Sequence, residues 1–278
     1  MKLLNGDCLK LLPLIPDNSV DMVLVDLPYG TTQNGWDSVI PLDTLWTEYG
    51  RICKQNAAMV FTAQPPFDKI LGASNIQNLK YEWIWHKNKA TGHLNAKKMP
   101  MKAHENILVF YRKLPTYNPQ KTSGHVPRNG TLPEHQQEGV KRNYNCDKTV
   151  ANPGGQTDRY PRSILEIPVM NNDNKRKVHP TQKPVELMRY LIRTYTNEGD
   201  IVLDNTMGAG TTGVACKMDN RDFIGMEMDE EYYHYACKWI NETVYEPWEY
   251  KPESSYGYLK PEAARKLPTK DTRQERLL

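Results

Sequence analysis

The first half of the chain alternates short apolar runs with helical spacings. Residues 7–15 predict a short helix or turn that Asp7 caps at its N-terminus. Apolar residues between Leu42 and Cys53 recur every three or four positions and predict an amphipathic helix over residues 42–54. Short runs rich in β-branched and aromatic residues predict buried strands, namely SVDMVLVD at 19–26, AAMVFTA at 57–63, YEWIW at 81–85 and ENILVFY at 105–111.

Regular patterns stop near Leu114 and return only after Arg162. The intervening residues are rich in Pro, Gly, Asn, Gln, Tyr and charge, which predicts an irregular insertion. The run KPVELMRYLIRTY at 183–195 then predicts a helix, and DIVLDNTMGAGTTGVACKMD and RDFIGMEMDEEYYHYACKWI each predict a strand followed by a helix. Because strands and helices alternate, we expect an α/β fold with a mainly parallel sheet, followed by a partly ordered tail over 246–278.

The composition excludes several classes of protein. Five cysteines without C-x-x-C spacing argue against a disulfide framework and a structural zinc, so we expect a reducing, cytoplasmic compartment. No segment approaches eighteen uncharged apolar residues, and we therefore expect neither a signal peptide nor a membrane span. The net charge of +3 does not by itself imply nucleic acid, but residues 87–113 contain seven basic residues and one acid, Glu105, which predicts a local basic surface.

A glycine-rich turn marks the strand-to-helix step near residue 208. Gly208, Gly210 and Gly213 form G-x-G-x-x-G directly after the strand IVLD, and Glu227 ends the next strand nineteen positions after Gly208. Glycines let a ligand approach the backbone, and an acid at this place accepts hydrogen bonds from ribose hydroxyls. The pattern predicts an adenosine-containing cofactor, with a pyridine dinucleotide and S-adenosylmethionine both open, and an ordinary tight turn as the alternative.

The turn after the first long strand offers a different chemistry. In VLVDLPY, Asp26, Pro28 and Tyr29 place a carboxylate, a rigid turn carbonyl and an aromatic ring within four residues. Such a set can hold the hydrogens of a nucleobase amino group, favour a pyramidal nitrogen and present that nitrogen to a methyl donor. Hydride transfer has no use for this set, so we favour S-adenosylmethionine. The alternative is a simple strand-to-loop bend.

Four motifs together resemble the DNA amino-methyltransferase family. DLPY resembles the D-P-P-Y catalytic motif of that family, and LDNTMGAGTT resembles its S-adenosylmethionine loop. HPTQKP at 179–184 matches a third cofactor signature, and NGDCLKLL at 5–12 resembles the start of such chains. The order of the motifs is that of the family's β group. The resemblance implies a Rossmann-like, S-adenosylmethionine-dependent methyltransferase fold with helices on both faces of a twisted sheet.

The resemblance also implies roles for individual residues. Asp26 and Tyr29 would bind the target base, while Leu27, which replaces the first proline of the motif, and Pro28 would shape the turn. Asn205-Thr206-Met207 replaces the usual proline and aromatic step beside the glycines. The cofactor-binding residues implied by the family motifs are Asp7, Cys8, His179, Thr181, Lys183, Asp204, Gly208, Gly210, Thr211, Thr212 and Glu227.

Binding to DNA requires further residues, because a base inside a duplex must be flipped out to reach such a pocket. Candidates for phosphate contact are Lys87, Lys89, Lys97, Lys98 and Lys102. Candidates for base edges are Arg128, Gln136, Gln137, Lys141, Arg142 and Asn143. The alternative for this basic run is a solvated face. The seven histidines are scattered without a metal-binding spacing, so we predict no metal site.

The sequence therefore predicts an enzyme that methylates the exocyclic N6 of adenine in double-stranded DNA. Alternatives are methylation of the cytosine amino group, of RNA or of protein, a catalytically weak DNA-binding module, and a dehydrogenase. We expect a prokaryotic or phage-encoded cytoplasmic protein without a membrane or metal partner, and leave a homodimer open. The predicted division is 1–86 for the catalytic half, 87–165 for a target-recognition insertion, 166–245 for the cofactor-binding half and 246–278 for the tail.

Overall fold

A computed structural model of the chain describes residues 1–30, 38–130, 153–170, 178 and 182–248. The strands found among these residues are β1 (Lys2–Asn5), β2 (Val20–Val25), β3 (Cys53–Ala63), β4 (Leu79–Thr91), β5 (Lys102–Phe110), β6 (Ile164–Glu166), β7 (Ile201–Asp204) and β8 (Asp222–Glu227). The helices are α1 (Cys8–Leu11), α2 (Leu42–Ile52), α3 (Phe67–Ser74), α4 (Val185–Tyr195), α5 (Thr211–Met218) and α6 (Glu230–Glu242).

The described strands form one sheet in the order β1-β8-β7-β2-β3-β5-β4-β6. Adjacent strands pair in parallel except around β5, which is antiparallel to both β3 and β4. The carboxyl ends of all the other strands therefore meet at one edge, and β5 begins at that edge. This edge is where an α/β sheet places its ligands.

Helices cover both faces of the sheet, because successive side chains of a buried strand point to opposite faces. In β2, Met22 and Leu24 pack into one hydrophobic cluster with α4, α5 and α6. Val23 and Val25 pack into a second cluster with α1, α2 and α3. The predicted Rossmann-like α/β fold with a mainly parallel sheet is confirmed.

Most predicted elements are present at or near their predicted bounds, but the domain division needs a correction. β5 lies between β3 and β4 in the sheet, although its residues fall within the predicted insertion 87–165. Residue 87 lies inside β4, so the boundary there is wrong; paired strands cannot be separated from the sheet core. Between 111 and 163, the described residues contain no helix and one isolated bridge, between Thr122 and Arg159.

No described helix is long and apolar enough to cross a membrane.

Candidate active site

A cavity of about 1000 Å³ opens at the carboxyl edge of the sheet. Its walls come from the turn after β2, the glycine-rich turn after β7, the end of β8 and the connection between β4 and β5. Most of the described candidate residues line it. From the catalytic and cofactor motifs they are Asp7, Cys8, Asp26, Leu27, Pro28, Tyr29, Lys183, Asp204, Gly208, Thr211, Thr212 and Glu227, and from the basic run they are Lys87, Lys89 and Lys102. The fold therefore brings the predicted catalytic turn and the predicted cofactor turn to a single cavity.

Asp26 follows directly after β2, and its carboxylate is held from three directions. Oδ1 accepts hydrogen bonds from the Tyr29 hydroxyl at 2.6 Å and from Thr62 Oγ1 at 2.5 Å. Oδ2 accepts from Lys183 Nζ at 2.5 Å. The Asp26 side chain is still 29% exposed, toward the cavity. The carboxylate is thus fixed in orientation while remaining accessible to a ligand.

Buried neighbours fix the rest of the catalytic turn. Leu27 is 3% exposed and packs in the cluster of α1, α2 and α3, so it anchors the turn where the family motif has proline. The Tyr29 ring stacks on Phe67 of α3, with ring centroids 5.2 Å apart. Burial raises the pKa of the Tyr29 hydroxyl well above its usual value, and the neighbouring Asp26 and Glu105 carboxylates add to the shift. Tyr29 is therefore a neutral, oriented aromatic ring beside Asp26.

Four charged groups form a buried charge cluster, defined as Asp26, Lys87, Glu105 and Lys183. Lys87 donates a hydrogen bond to Glu105 Oε1. Lys183 Nζ, which donates to Asp26, also lies 3.5 Å from Glu105 Oε2. Gln64 Nε2 donates to Glu105 Oε1 at 2.9 Å. Two ammonium groups and two carboxylates thus balance each other in a region where unpaired charge is costly.

The pKa shifts in the buried charge cluster follow from these pairs. Burial alone would raise the pKa of Glu105, but the ammonium groups of Lys183 and Lys87 bring it below the usual value. Burial alone would lower the pKa of Lys183, and the carboxylates of Asp26 and Glu105 raise it instead. Both groups are therefore held in their charged forms.

The position of Lys87 corrects one prediction. Its side chain is 7% exposed and its ammonium is paired with Glu105, so the prediction that Lys87 contacts phosphates from a basic surface is wrong. The β4 strand directs it into the cavity wall. Glu105, Thr62 and Phe67 were not predicted as site residues, because each comes from another strand or helix and none belongs to a motif. The one sequence signal for Glu105 is that it is the sole acid in a basic run.

The second half of the cavity is built by the ends of β7 and β8. Asp204 accepts from Thr206 N at 3.1 Å and from Thr212 Oγ1 at 2.7 Å, and burial raises its pKa to about 7. Glu227 accepts from Gly208 N at 2.8 Å and from Asp229 N at 2.8 Å. Each Glu227 oxygen keeps a further lone pair for a hydroxyl donor in the cavity.

The glycines of this turn have different roles. Gly208, at φ +53°, would point a Cβ into open space, so it leaves room above the turn. Gly210, at φ +83°, begins α5, and a Cβ there would lie 2.7 Å from Ala236 Cβ of α6. A Cβ on Gly213 would lie 2.4 Å from Ile240 Cδ1 and 2.7 Å from Phe223. The second and third glycines therefore permit close packing of α5 against α6 and β8.

One further residue in this half was not predicted to bind ligand. Asn205 is 2% exposed, lines the cavity and accepts a hydrogen bond from the Tyr49 hydroxyl at 2.6 Å. Apart from the weakly accepting thiol of Cys8, its Nδ2 has no hydrogen-bond partner among the described residues. Asp7 caps α1 by accepting from Leu9 N at 3.0 Å. An unsatisfied buried donor, the Glu227 carboxylate and the space above Gly208 fit an adenosine-containing cofactor.

The remaining candidates are exposed or lie outside the described residues. Lys89, Lys97, Lys98 and Lys102 are exposed on β4, β5 and their connection, and Lys102 Nζ donates to Gln64 Oε1 at 3.3 Å. Arg128 is also exposed. Within the described part of the chain, no group of three or more His, Cys, Asp or Glu residues is placed to hold a metal ion. Candidates outside the described residues are Gln136, Gln137, Lys141, Arg142, Asn143, His179 and Thr181.

Comparison with known proteins gives a family match over most of the chain. The N6/N4 methylase family model, described as DNA methylase, matches residues 20–238. The chain is 25% identical to the Type II methyltransferase M1.MboII of Moraxella bovis, over 85% of this chain and 95% of that protein. It is 27% identical to the DNA adenine methyltransferase YhdJ of Escherichia coli, over 83% of this chain and 79% of that protein.

Solved structures share the fold. A crystal structure of an M1.HpyAVI–SAM complex superposes with a TM-score of 0.57 and 23% identity, covering 86% of this chain and 98% of that one. The PvuII DNA methyltransferase, described as cytosine-N4-specific, superposes with a TM-score of 0.61 and 15% identity, covering 84% of both chains. These likenesses support the α/β architecture described above.

Proposed function

The chain belongs to the N6/N4 DNA methylase family, and we propose that within this family it methylates the exocyclic amino group of adenine in double-stranded DNA. The methyl donor is S-adenosylmethionine. The observation that carries the proposal is the oriented, accessible carboxylate of Asp26 beside the ring of Tyr29, in the same cavity as the cofactor turn.

The catalytic turn supplies position and electrostatics to a poor nucleophile. Tyr29 and Thr62 occupy Asp26 Oδ1, so Oδ2, with one lone pair beyond its bond to Lys183, is the acceptor for an amine hydrogen. The carbonyl of Leu27 or Pro28 would accept the second hydrogen. Two acceptors of this kind favour a pyramidal nitrogen, whose lone pair is then available for attack. The flat ring of Tyr29 would stack on the extruded base.

The other half of the cavity would hold the cofactor, which supplies an electrophilic methyl group on a sulfonium. Glu227 would accept hydrogen bonds from the ribose hydroxyls, and Asp7, Cys8 and Asn205 would border the adenine. Lys183 would bind the methionine carboxylate. Because the Lys183 ammonium also pairs with Asp26, the carboxylate of the cofactor and the carboxylate of Asp26 would share this cation.

The choice of adenine rests on the first motif position. Asp26 stands where the cytosine-amino members of the family usually carry Ser, and an anionic acceptor suits the N6 amine. The Escherichia coli relative named as an adenine methyltransferase supports this choice. The cytosine-N4-specific structural neighbour makes the cytosine amino group the second candidate.

We also propose that the exposed lysines at 89, 97, 98 and 102 contact phosphates, and that Arg128 with the undescribed residues around 136–143 reads base edges. The named relatives from Moraxella bovis and Escherichia coli support a bacterial, cytoplasmic setting.

Incubation with tritiated S-adenosylmethionine and unmethylated genomic DNA, followed by nucleoside analysis, tests the proposal. We expect labelled N6-methyladenine from the wild-type chain. Labelled N4-methylcytosine would overturn the base assignment. DNA binding without labelled nucleoside would favour the DNA-binding module instead. RNA in parallel reactions tests the substrate class.

A further inference from the structure

The connection between β4 and β5 projects an apolar side chain into solvent. Leu94 is 87% exposed, the largest exposed fraction among the large apolar side chains of the described residues. The turn that carries it is built by backbone hydrogen bonds, from Asn95 N to Gly92 O at 3.0 Å and from Met99 N to Asn95 O at 3.0 Å. Leu94 is thus presented by an ordered turn.

Exposed cations and further exposed apolar groups follow Leu94 within eight residues of the chain. Lys97, Lys98 and Lys102 are exposed, as are Met99 at 52% and Met101 at 41%. Between Lys87 and Glu105 the sequence contains no acid. A segment that exposes an apolar tip and several cations and contains no acid complements a polyanion that can also accept an apolar side chain. A DNA duplex with an opened base stack has both properties.

The position of this turn relates it to the catalytic cavity. Gly92, Asn95, Met99 and Lys102 line the same cavity as Asp26. The turn therefore stands at the entrance through which an extruded base would reach the carboxylate. Extrusion leaves a gap in the stack of the duplex, and proteins that distort DNA insert apolar side chains between base steps.

We infer that Leu94 enters the duplex at the place vacated by the target base, while Lys97 and Lys98 contact the adjacent phosphates. The inference rests on the proposed function. Leu94 stabilises the extruded state by restoring apolar contact with the neighbouring bases. It lowers the cost of extrusion and leaves methyl transfer itself unchanged.

Methylation of matched and mismatched duplexes tests this role. Modification-sensitive sequencing of DNA methylated by the wild type first identifies the target sequence, which is then synthesised with either a normal or a mismatched partner for the target base. We expect Leu94→Ala to lower kcat/KM on the matched duplex by roughly tenfold or more. The mismatch weakens the pairing that must be broken, so it should restore most of the rate.

Two further variants serve as controls. Leu94→Met keeps an apolar side chain and should retain most of the wild-type rate. Leu14→Ala removes a side chain that is 62% exposed in the 3-10 turn Leu12–Leu14, outside the cavity lining, and should leave both duplexes unaffected. With 2-aminopurine at the target position, Leu94→Ala should also reduce the fluorescence increase that accompanies extrusion.

Different results would overturn different statements. An equal fall in rate on matched and mismatched duplexes, or no fall on either, would overturn the role of Leu94 while wild-type methylation upholds the proposed function. Absence of DNA methylation by the wild type would overturn the proposed function and this inference with it.

Discussion

Lysines of one hairpin lie in opposite environments. Lys87, near the end of β4, is 7% exposed and paired with Glu105 in the buried charge cluster. Lys97 and Lys98, at the turn of the same hairpin, are exposed. The sequence shows a single basic run, but the fold assigns one of its cations to the cavity wall and others to the surface. A buried charge depends on its partners, whereas exposed charges act additively through a field that salt screens.

The largest expected effect is on methyl transfer, and it comes from Asp26, the member of the buried charge cluster that is exposed to the cavity. Asp26→Ala should abolish methyl transfer and leave binding of S-adenosylmethionine within a few fold, because its proposed partner is the target amine. Transfer of tritiated methyl groups and calorimetric titration with the cofactor measure the two effects. Full activity in Asp26→Ala would show that the carboxylate only shapes the turn. Tyr29→Phe, which keeps the ring, should be mild by comparison.

The next effect concerns the buried charge cluster as a unit of stability. Glu105→Ala removes the carboxylate that pairs with Lys87 and Lys183 and leaves buried positive charge without compensation. The substitution should therefore lower the free energy of unfolding by about 3–5 kcal/mol. Urea denaturation measures the change. Glu82→Ala, at an exposed position of the neighbouring strand β4, provides the matched control and should change stability by about 0.5 kcal/mol or less. Equal effects of the two substitutions would contradict the distinction between buried and exposed charge.

Asp204 offers a buried carboxylate whose pKa burial raises to about 7, in contrast with the lysine-paired Glu105. Between about pH 4 and pH 7 the folded protein keeps a proton on Asp204 that the unfolded chain no longer holds, so this group's contribution to stability falls as pH rises. Asp204→Asn removes that dependence. The stability of the variant relative to wild type should rise by on the order of a few kcal/mol from pH 4 to pH 8.

Urea denaturation of both proteins at several pH values measures this difference. A stability difference that stays constant with pH would show that Asp204 ionises normally. Comparing the variant with the wild type at each pH cancels the contributions of titrating groups that do not interact with Asp204.

The smallest effect per residue is expected at the hairpin turn. A triple substitution of Lys97, Lys98 and Lys102 by Ala should reduce the slope of log affinity for DNA against log salt by about one for each phosphate that the variant no longer neutralises. Fluorescence anisotropy at several salt concentrations measures the slope. The matched control replaces three exposed lysines elsewhere, Lys10, Lys80 and Lys238. An unchanged slope in the first triple variant would assign these lysines to plain solvent.

Elements whose patterns are long or tied to a motif could be predicted from the sequence. The buried run of β2 and the helical spacing of α2 were predicted because side-chain periodicity follows burial. β1, α3 and β6 were not predicted; β1 and β6 contain only four and three residues. That the motif residues meet at one cavity could also be predicted, because the carboxyl ends of parallel strands lie at one edge of the sheet. The site roles of Thr62, Glu105 and Asn205 could not be predicted from the sequence, because the residues that they contact are distant in the chain.

The pairing of β5 with both β3 and β4 has a consequence for how the turn between β4 and β5 can vary. At the base of the turn between β4 and β5, Thr91 pairs with Lys102. Residues 106–110 of β5 pair with β3 as well as with β4, and the pairing with β3 holds the register of β5. Residues can therefore be inserted, removed or exchanged at this turn without shifting Glu105 in the cavity wall. The contact proposed for position 94 can therefore change through substitution at this turn, while the catalytic turn and the buried charge cluster keep their geometry.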